Sequence, residues 1–273
     1  MVEHRATMEK PFGEHHETIR SAQHPLLKRL GAILSGAERD GCVLEGDRLI
    51  DDALRSGLEF EVILVSTDRE DRASELEGQG LPVQRIDAAL LARKSALRAS
   101  PGIAAIAQTP HPRSIAELSA AADALVLVVA GISDPGNLGA LARSAEAAGA
   151  CGLVVIEGGA KPWGDKALRG SMGSLLRLSV SQSAAASEAA KELRADGFRL
   201  VAAATRGGKS LADFDWSGRV ALWIGSETGL NPREMGSFER VTIPMAGAVE
   251  SLNVTVAASL LLFAAARAGG TRP

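Results

Sequence analysis

Tyrosine is absent from this chain of 273 residues, and three tryptophans and six phenylalanines are all the aromatic side chains it has. Exposed rings on which single-stranded bases could stack are therefore poorly supplied. Cysteine is nearly as scarce. Cys42 and Cys151 stand far apart without metal-type spacing, which excludes a disulfide framework and a zinc site and fits a reducing compartment. All five histidines (His4, His15, His16, His24 and His111) precede residue 112, so a Ser–His nucleophile system in the C-terminal half is excluded. His15-His16 lacks further ligands and reads as part of a solvated tail, and no metal is expected. No Gly-x-Gly-x-x-Gly follows a strand and no P-loop is present, which removes support from dinucleotide and nucleotide-hydrolysis readings. The net charge of −3 does not predict a nucleic-acid partner, so such a role needs basic residues gathered on one surface. The N-terminus carries Glu3, Arg5, Glu9 and Lys10 without an apolar core, unlike a signal peptide. The apolar stretch 252–266 is rich in alanine and begins among Ser251, Asn253 and Thr255. It reads as a buried helix rather than a membrane span, and a cytoplasmic protein is expected.

What is present divides the chain into parts. Residues 1–20 are polar and read as a flexible tail. From 21 to 108 helical and strand-like pieces alternate: a helix from Pro25 towards Leu34, strands at Cys42–Leu44, Val62–Val65, Val83–Ile86 and Ile103–Ala107, and helices at Arg48–Arg55, Ala73–Glu77 and Ala88–Leu91. Thr109-Pro110-His111-Pro112-Arg113 discourages both helix and sheet and marks a linker over 109–121. Beyond it, from 122 to 273, come continuous apolar runs at 124–130, 152–156, 198–204 and 220–225 with helical stretches between. Runs apolar on both faces indicate a mainly parallel sheet covered on both sides. In such a fold, ligands bind at the carboxyl ends of the strands.

Three loops sit there. After 124–130 comes Asp134-Pro135-Gly136-Asn137-Leu138-Gly139, then a helix Ala140–Ala148 carrying Arg143. An amide and a guanidinium near one helix start suit a phosphate and a sugar hydroxyl, although a turn with a surface arginine fits this loop equally well. After 220–225 comes Gly225-Ser226-Glu227-Thr228-Gly229-Leu230, where two glycines flank one carboxylate and admit a closely approaching ligand. The third loop follows a strand-like run from Val241 to Met245. Ala246-Gly247-Ala248 leads to Ser251-Leu252-Asn253 at the mouth of a long, nearly uncharged helix, where unpartnered N–H groups favour an anionic or carbonyl-bearing ligand. Ordinary capping by Ser251 or Asn253 is the plainer alternative. Between the first two loops, Lys161, Lys166, Arg169 and Arg177 offer either a solvated face or a phosphate grip.

These three loops resemble motifs 1, 2 and 3 of the SpoU-type (TrmH-like) RNA 2′-O-ribose methyltransferases of the SPOUT superfamily. The first match is Asp134–Gly139 with Arg143-Ser144-Ala145, and the second is Gly225–Leu230. The third is Ile243–Gly247 with Ser251-Leu252-Asn253-Val254-Thr255-Val256-Ala257-Ala258. They occur in the family's order across residues 124–268. The second loop departs from the commonest pattern, because Thr228 stands alone between Glu227 and the second glycine. A weaker likeness to a ribosomal-protein-like RNA-binding domain rests on His24–Leu30, Val43–Ile50 and Pro101–Ile106.

The resemblance implies an α/β fold in two parts. The C-terminal domain would hold a mainly parallel sheet with a deep trefoil knot, and a smaller N-terminal α/β domain would bind RNA. It implies a homodimer and S-adenosylmethionine held by the backbone at Gly225, Ile243 and Leu252. Asn137, Arg143, Glu227, Ser251 and Asn253 match the catalytic positions, and Arg169 a position tied to RNA contact or catalysis. Lys166, Lys28 and Arg29 are further RNA-binding candidates. The implied reaction moves a methyl group to a ribose 2′-hydroxyl, with ribosomal RNA ahead of transfer RNA as substrate. The family mechanism often casts Arg143 as the base, but a guanidinium stays protonated in proteins, so Arg143 is expected to act as a donor, with the RNA phosphate or a transiently desolvated Arg143 left as the alternative proton acceptors. The alternative is a catalytically inactive RNA-binding or ribosome-assembly factor with the same fold. A dinucleotide-dependent oxidoreductase shares the α/β pattern but lacks the phosphate fingerprint.

Overall fold

The computed structural model describes residues 17–118, 124–225 and 237–268. The described residues form two compact units, one within 1–47 and 59–108, the other within 48–58 and 109–273.

In the first unit, helix α1 (Pro25–Ser35) begins with Pro25 in its first turn and the His24 side chain accepting from the Leu26 N–H. Strands β1 (Cys42–Glu45), β2 (Phe60–Ser66), β3 (Val83–Ile86) and β4 (Ile103–Ala107) form a sheet in the order β1-β4-β2-β3. β4 runs antiparallel to both neighbours, while β2 and β3 are parallel. Helices α3 (Glu70–Gly78) and α4 (Ala88–Lys94) follow β2 and β3, and Asp87 caps α4 by accepting from Leu90 N–H. Ile19, assigned by the sequence to the polar tail, is buried and pairs in parallel with Ile86. A lone isoleucine among polar residues gains enough by burial to order its neighbours. Cys42 lies in the core, where desolvation pushes its thiol up to about 12.

Helix α2 (Asp47–Arg55) falls almost wholly in the second unit. Residues 115–117 form a single 3₁₀ turn whose Ser114 and Glu117 make a reciprocal capping box. Ile115 and Leu118 are buried in the second unit's core, and Arg113 N–H donates to Val180 O. Residues 113–118, within the stretch read as a linker, are thus packed against this unit.

Seven strands follow: β5 (Leu125–Ala130), β6 (Gly152–Ile156), β7 (Ser179–Ser183), β8 (Arg199–Ala203), β9 (Lys209–Ser210), β10 (Val220–Gly225) and β11 (Glu239–Thr242). They pair in parallel throughout, in the order β7-β6-β5-β10-β8-β11-β9. The central pair β5 and β10 is buried almost end to end, as a sheet covered on both faces requires. Trp223 on β10 is completely buried, with its ring 5.0 Å from Phe238 in an edge arrangement. Truncating it to alanine should cost about 3–5 kcal/mol.

The helices of this unit are α5 (Pro135–Ala147), α6 (Asp165–Ser171), α7 (Ser174–Arg177), α8 (Ala186–Ala195) and α9 (Val254–Ala268). Three boundaries differ from the sequence reading. α5 starts at Pro135, not Ala140, because Asp134 accepts from Asn137 N–H at 2.7 Å and Pro135 suits the first turn. β11 ends at Thr242, so Ile243–Met245 belong to a loop. α9 starts at Val254, because Asn253 Oδ1 accepts from the N–H groups of Thr255 (2.9 Å) and Val256 (3.4 Å). Among the described residues no helix is long and apolar enough to cross a membrane.

Candidate active site

A cavity of about 240 Å³ opens at the carboxyl ends of β8, β10 and β11. Its walls are Ala203, Ala204 and Thr205 after β8, Ile224 and Gly225 at the end of β10, and Val241, Ile243 and Met245 along and beyond β11. Ser251, Leu252 and the first turns of α9 (Val254, Ala257, Leu261) close it. Gly225, Ile243 and Leu252, the three positions matched to cofactor binding, therefore line one cavity, and Ser251 lines it with them. Gly225 has no side chain to fill the strand end, so a ligand can approach its main chain closely. In the loop between β11 and α9, Gly247 takes a left-handed conformation (φ 71°) that favours glycine.

Beside the cavity the starts of α5 and α9 lie together. The Thr255 hydroxyl donates to Asn137 Oδ1 at 3.4 Å. Farther along both helices, the Ser144 and Ser259 hydroxyls lie 2.7 Å apart, and the Ser259 hydroxyl donates to Thr255 O at 2.7 Å. Asn137 and Ser144 are seven residues apart and share a helical face, as do Thr255 and Ser259 at four. The contacts advance together along both chains, so the two helices run in the same sense with both N-termini at the cleft.

The opposite face of α5 is pressed against α6. A Cβ on Gly139 would stand 2.5 Å from Ala167 O and 2.6 Å from Ser171 N, distances no side chain tolerates. Gly136 and Gly170 meet at the same crossing. This contact fixes Arg169, on α6, next to the start of α5. Arg169 is partly buried and pairs with Asp165 at 2.6 Å, while Lys166 projects into solvent.

Arg143, six residues beyond Asn137, sits about 9 Å farther along α5 on a different face. It is exposed and does not line the cavity. Glu146, nearer the end of α5, is bound by Arg177 at 2.6 Å, and that hydrogen bond holds its carboxyl below the usual glutamate range. Arg177 also reaches the buried Asp52 of α2 at 3.0 Å. Asn253 contributes its side-chain oxygen to the helix cap, so the plainer capping reading holds for it. Glu227 and the rest of the second loop from Ser226 onward lie outside the described residues. In the first unit Lys28 is exposed, whereas Arg29 is engaged by Glu38 (3.3 Å), Glu61 (3.0 Å) and the Asp40 carbonyl (3.2 Å).

Sequence reasoning missed Ala203–Thr205 and Thr255. The rule that ligands sit at strand carboxyl ends pointed to the first group, but nothing in the composition of that run marks it. Among the described residues no group of three or more His, Cys, Asp or Glu could hold a metal ion.

Comparison with known proteins agrees with this geometry. Residues 124–263 match the model of the SpoU rRNA Methylase family. Over 250 residues the chain is 30% identical to a Bacillus subtilis protein named 23S rRNA (guanosine(2553)-2′-O)-methyltransferase, covering 90% of this chain and 97% of the relative. It is 33% identical over 228 residues to the Streptomyces laurentii 23S rRNA (adenosine(1067)-2′-O)-methyltransferase, covering 81% and 84% of the two chains. Among solved structures, the SpoU methyltransferase AviRb from Streptomyces viridochromogenes, in complex with AdoMet, superposes with a TM-score of 0.80 at 28% identity over 90% of this chain and 98% of that one. A family model spanning more than half of the chain, and relatives aligned along nearly its whole length, leave one assignment: this chain belongs to the SpoU rRNA methylase family.

Proposed function

We propose that this protein transfers a methyl group from S-adenosylmethionine to a ribose 2′-hydroxyl of ribosomal RNA. The observation that carries the reading is the convergence of Gly225, Ile243 and Leu252 on one cavity at the sheet's carboxyl edge, beside Asn137. The cavity fits the cofactor chemically. Its described lining holds no charged side chain, so nothing there repels a sulfonium, and its apolar walls suit an adenine ring. When bound, S-adenosylmethionine supplies a methyl group on an already good leaving group. What the chain must add is orientation of the reactants and help for a weakly acidic hydroxyl.

Arg143 remains a cation and donates to the ribose–phosphate, favouring charge as it develops on the 2′-oxygen. Asn137 orients the hydroxyl from the start of α5, with Ser251 facing it from the cavity wall. Asn253 braces the loop by capping α9. Arg169 and Lys166 on α6 meet RNA phosphates, and Lys28 is a further contact from the first unit. Glu227 acts from the loop after β10.

The active form is a homodimer built on α9. One face of α9 enters the core through Ala258, Leu261, Leu262 and Ala265. The other leaves Val256, Leu260 and Phe263 exposed at 49, 45 and 44%, a stripe that Leu252 continues. A second copy presents the same uncharged stripe and can cover it across a twofold axis. The insertion of β10 between β5 and β8, with α9 seated on α5, supports the knotted course implied by the resemblance. A ribosomal RNA substrate supports a cytoplasmic location.

Calorimetric titration with S-adenosylmethionine and with NAD tests the reading: binding of the first alone is expected, and failure to bind it sinks the proposal. Mapping 2′-O-methyl sites in ribosomal RNA from cells with and without the protein identifies the nucleotide, and maps without a difference refute the ribosomal substrate.

A further inference from the structure

Two helix starts lie side by side at the cleft, and each is fixed by the residue before it. Asp134 Oδ1 accepts from the main-chain N–H of Asn137 at 2.7 Å, and Asn253 Oδ1 accepts from that of Thr255 at 2.9 Å. The two residues fixed in this way are joined by the Thr255 hydroxyl donating to Asn137 Oδ1. We propose that Thr255 is a positioning residue for methyl transfer: its hydroxyl sets the orientation of the Asn137 amide, so that both amide hydrogens remain for the reacting ribose. The inference rests on the role given to Asn137 above.

The two ends of a primary amide are nearly the same size and opposite in hydrogen-bonding sense. Packing alone therefore distinguishes poorly between an Asn137 that offers donors to the cleft and one that offers its carbonyl. In the structure the Thr255 hydroxyl donates to Oδ1 at 3.4 Å, and this contact turns the N–H end of the amide away from Thr255, which is the first arrangement. The selection is useful where an oxygen gains negative charge, because aimed N–H donors stabilise that charge and a carbonyl opposes it. The Ser144–Ser259 contact lies deeper on the same pair of helices and holds α9 in register along α5. The Thr255 main-chain groups are both occupied, its N–H by Asn253 and its carbonyl by Ser259. Its hydroxyl is left to face Asn137.

The test compares the full-length wild type with Thr255→Val, Thr255→Ser, Asn137→Ala and the Asn137→Ala/Thr255→Val double variant, using in vitro transcribed 23S rRNA and radiolabelled S-adenosylmethionine. Thr255→Val should lower kcat roughly ten-fold with the KM for S-adenosylmethionine unchanged, and Thr255→Ser should restore it to within about two-fold. On the Asn137→Ala background Thr255→Val should cost nothing further. A second readout does not depend on turnover: the Asn137 side-chain amide resonances, assigned by their loss in Asn137→Ala, should shift in Thr255→Val and stay in Thr255→Ser. Wild-type turnover by Thr255→Val, a serine variant as slow as the valine one, or additive losses in the double variant would each overturn the inference. An amide resonance pair indifferent to Thr255→Val would overturn it as well. Full turnover by Asn137→Ala refutes the role of Asn137 itself, and the positioning role falls with it.

Discussion

Arginines held by carboxylates and cations left in solvent occur in both units, and the two kinds are used differently. In the first unit, Arg29 is shared by Glu38 and Glu61, Arg69 grips both oxygens of Asp47 and the Pro101 carbonyl, and Arg85 is clasped by Glu70 and Glu77. In the second, Arg177 and Arg199 are held by Glu146 and Glu239 in the same way, whereas Arg143 and Lys166 project into solvent. A surface ion pair contributes only about 0.2–1 kcal/mol, yet a carboxylate beside a guanidinium also repels an approaching phosphate. Counting cations along a sequence therefore overstates the surface available to RNA. Arg29 is committed to its carboxylates, and on the proposed reading Arg143 and Lys166 remain for the substrate.

The sharpest way to break this contrast is Arg143→Ala. Methyl transfer should fall by at least roughly 100-fold while calorimetry still shows S-adenosylmethionine binding. Loss of cofactor binding would move Arg143 from the RNA side of the site to the cofactor side. Asn137→Ala should lower turnover by about ten-fold and weaken RNA binding less, as single-turnover rates and filter binding would show. An unchanged rate makes Asn137 a loop residue only. Lys166→Ala should weaken RNA binding and reduce the slope of log K against log salt by about one, whereas Arg29→Ala should leave that slope alone. Equal slopes for both variants would erase the distinction drawn between carboxylate-bound and exposed cations.

The smallest effect concerns a pair inside the second unit. Arg177 lowers the Glu146 pKa, so the folded state favours the charged carboxylate. Its stabilisation is complete above the ordinary glutamate range and fades as the pH falls through the lowered value. Glu146→Gln should cost less than about 1 kcal/mol near neutrality, with the two proteins converging in acid, read by denaturant unfolding at a series of pH values.

Much of the fold was legible because central parallel strands must be apolar on both faces. β5, β6 and β10 appear as unbroken aliphatic runs. β7 does not, since Ser179–Ser183 is an edge strand rich in serine, with Val180, Ser181 and Ser183 buried and Gln182 exposed. The start of α5 was legible but misread: Asp134-Pro135 is a cap and first-turn signal, and the glycine after it suggested a loop instead. At the site, local sequence carried Gly225, Ile243, Leu252 and Ser251, because each stands in a contiguous motif. Thr255 stands in one too, but its partner Asn137 lies 118 residues away, and only the meeting of two helix starts gives it a use.

The described cavity wall contains aliphatic side chains, one methionine, two hydroxyls and main chain, with nothing that gains or loses a proton near neutrality. Proton uptake on loading the cofactor can then come only from the ligand or from groups outside that wall. Between about pH 6 and 8, any change in affinity for S-adenosylmethionine should follow the titration of the ligand's own amino group. Any slope in turnover across that interval then reports on the RNA hydroxyl and the groups around it, which makes the pH profile of this enzyme a direct record of its nucleophile.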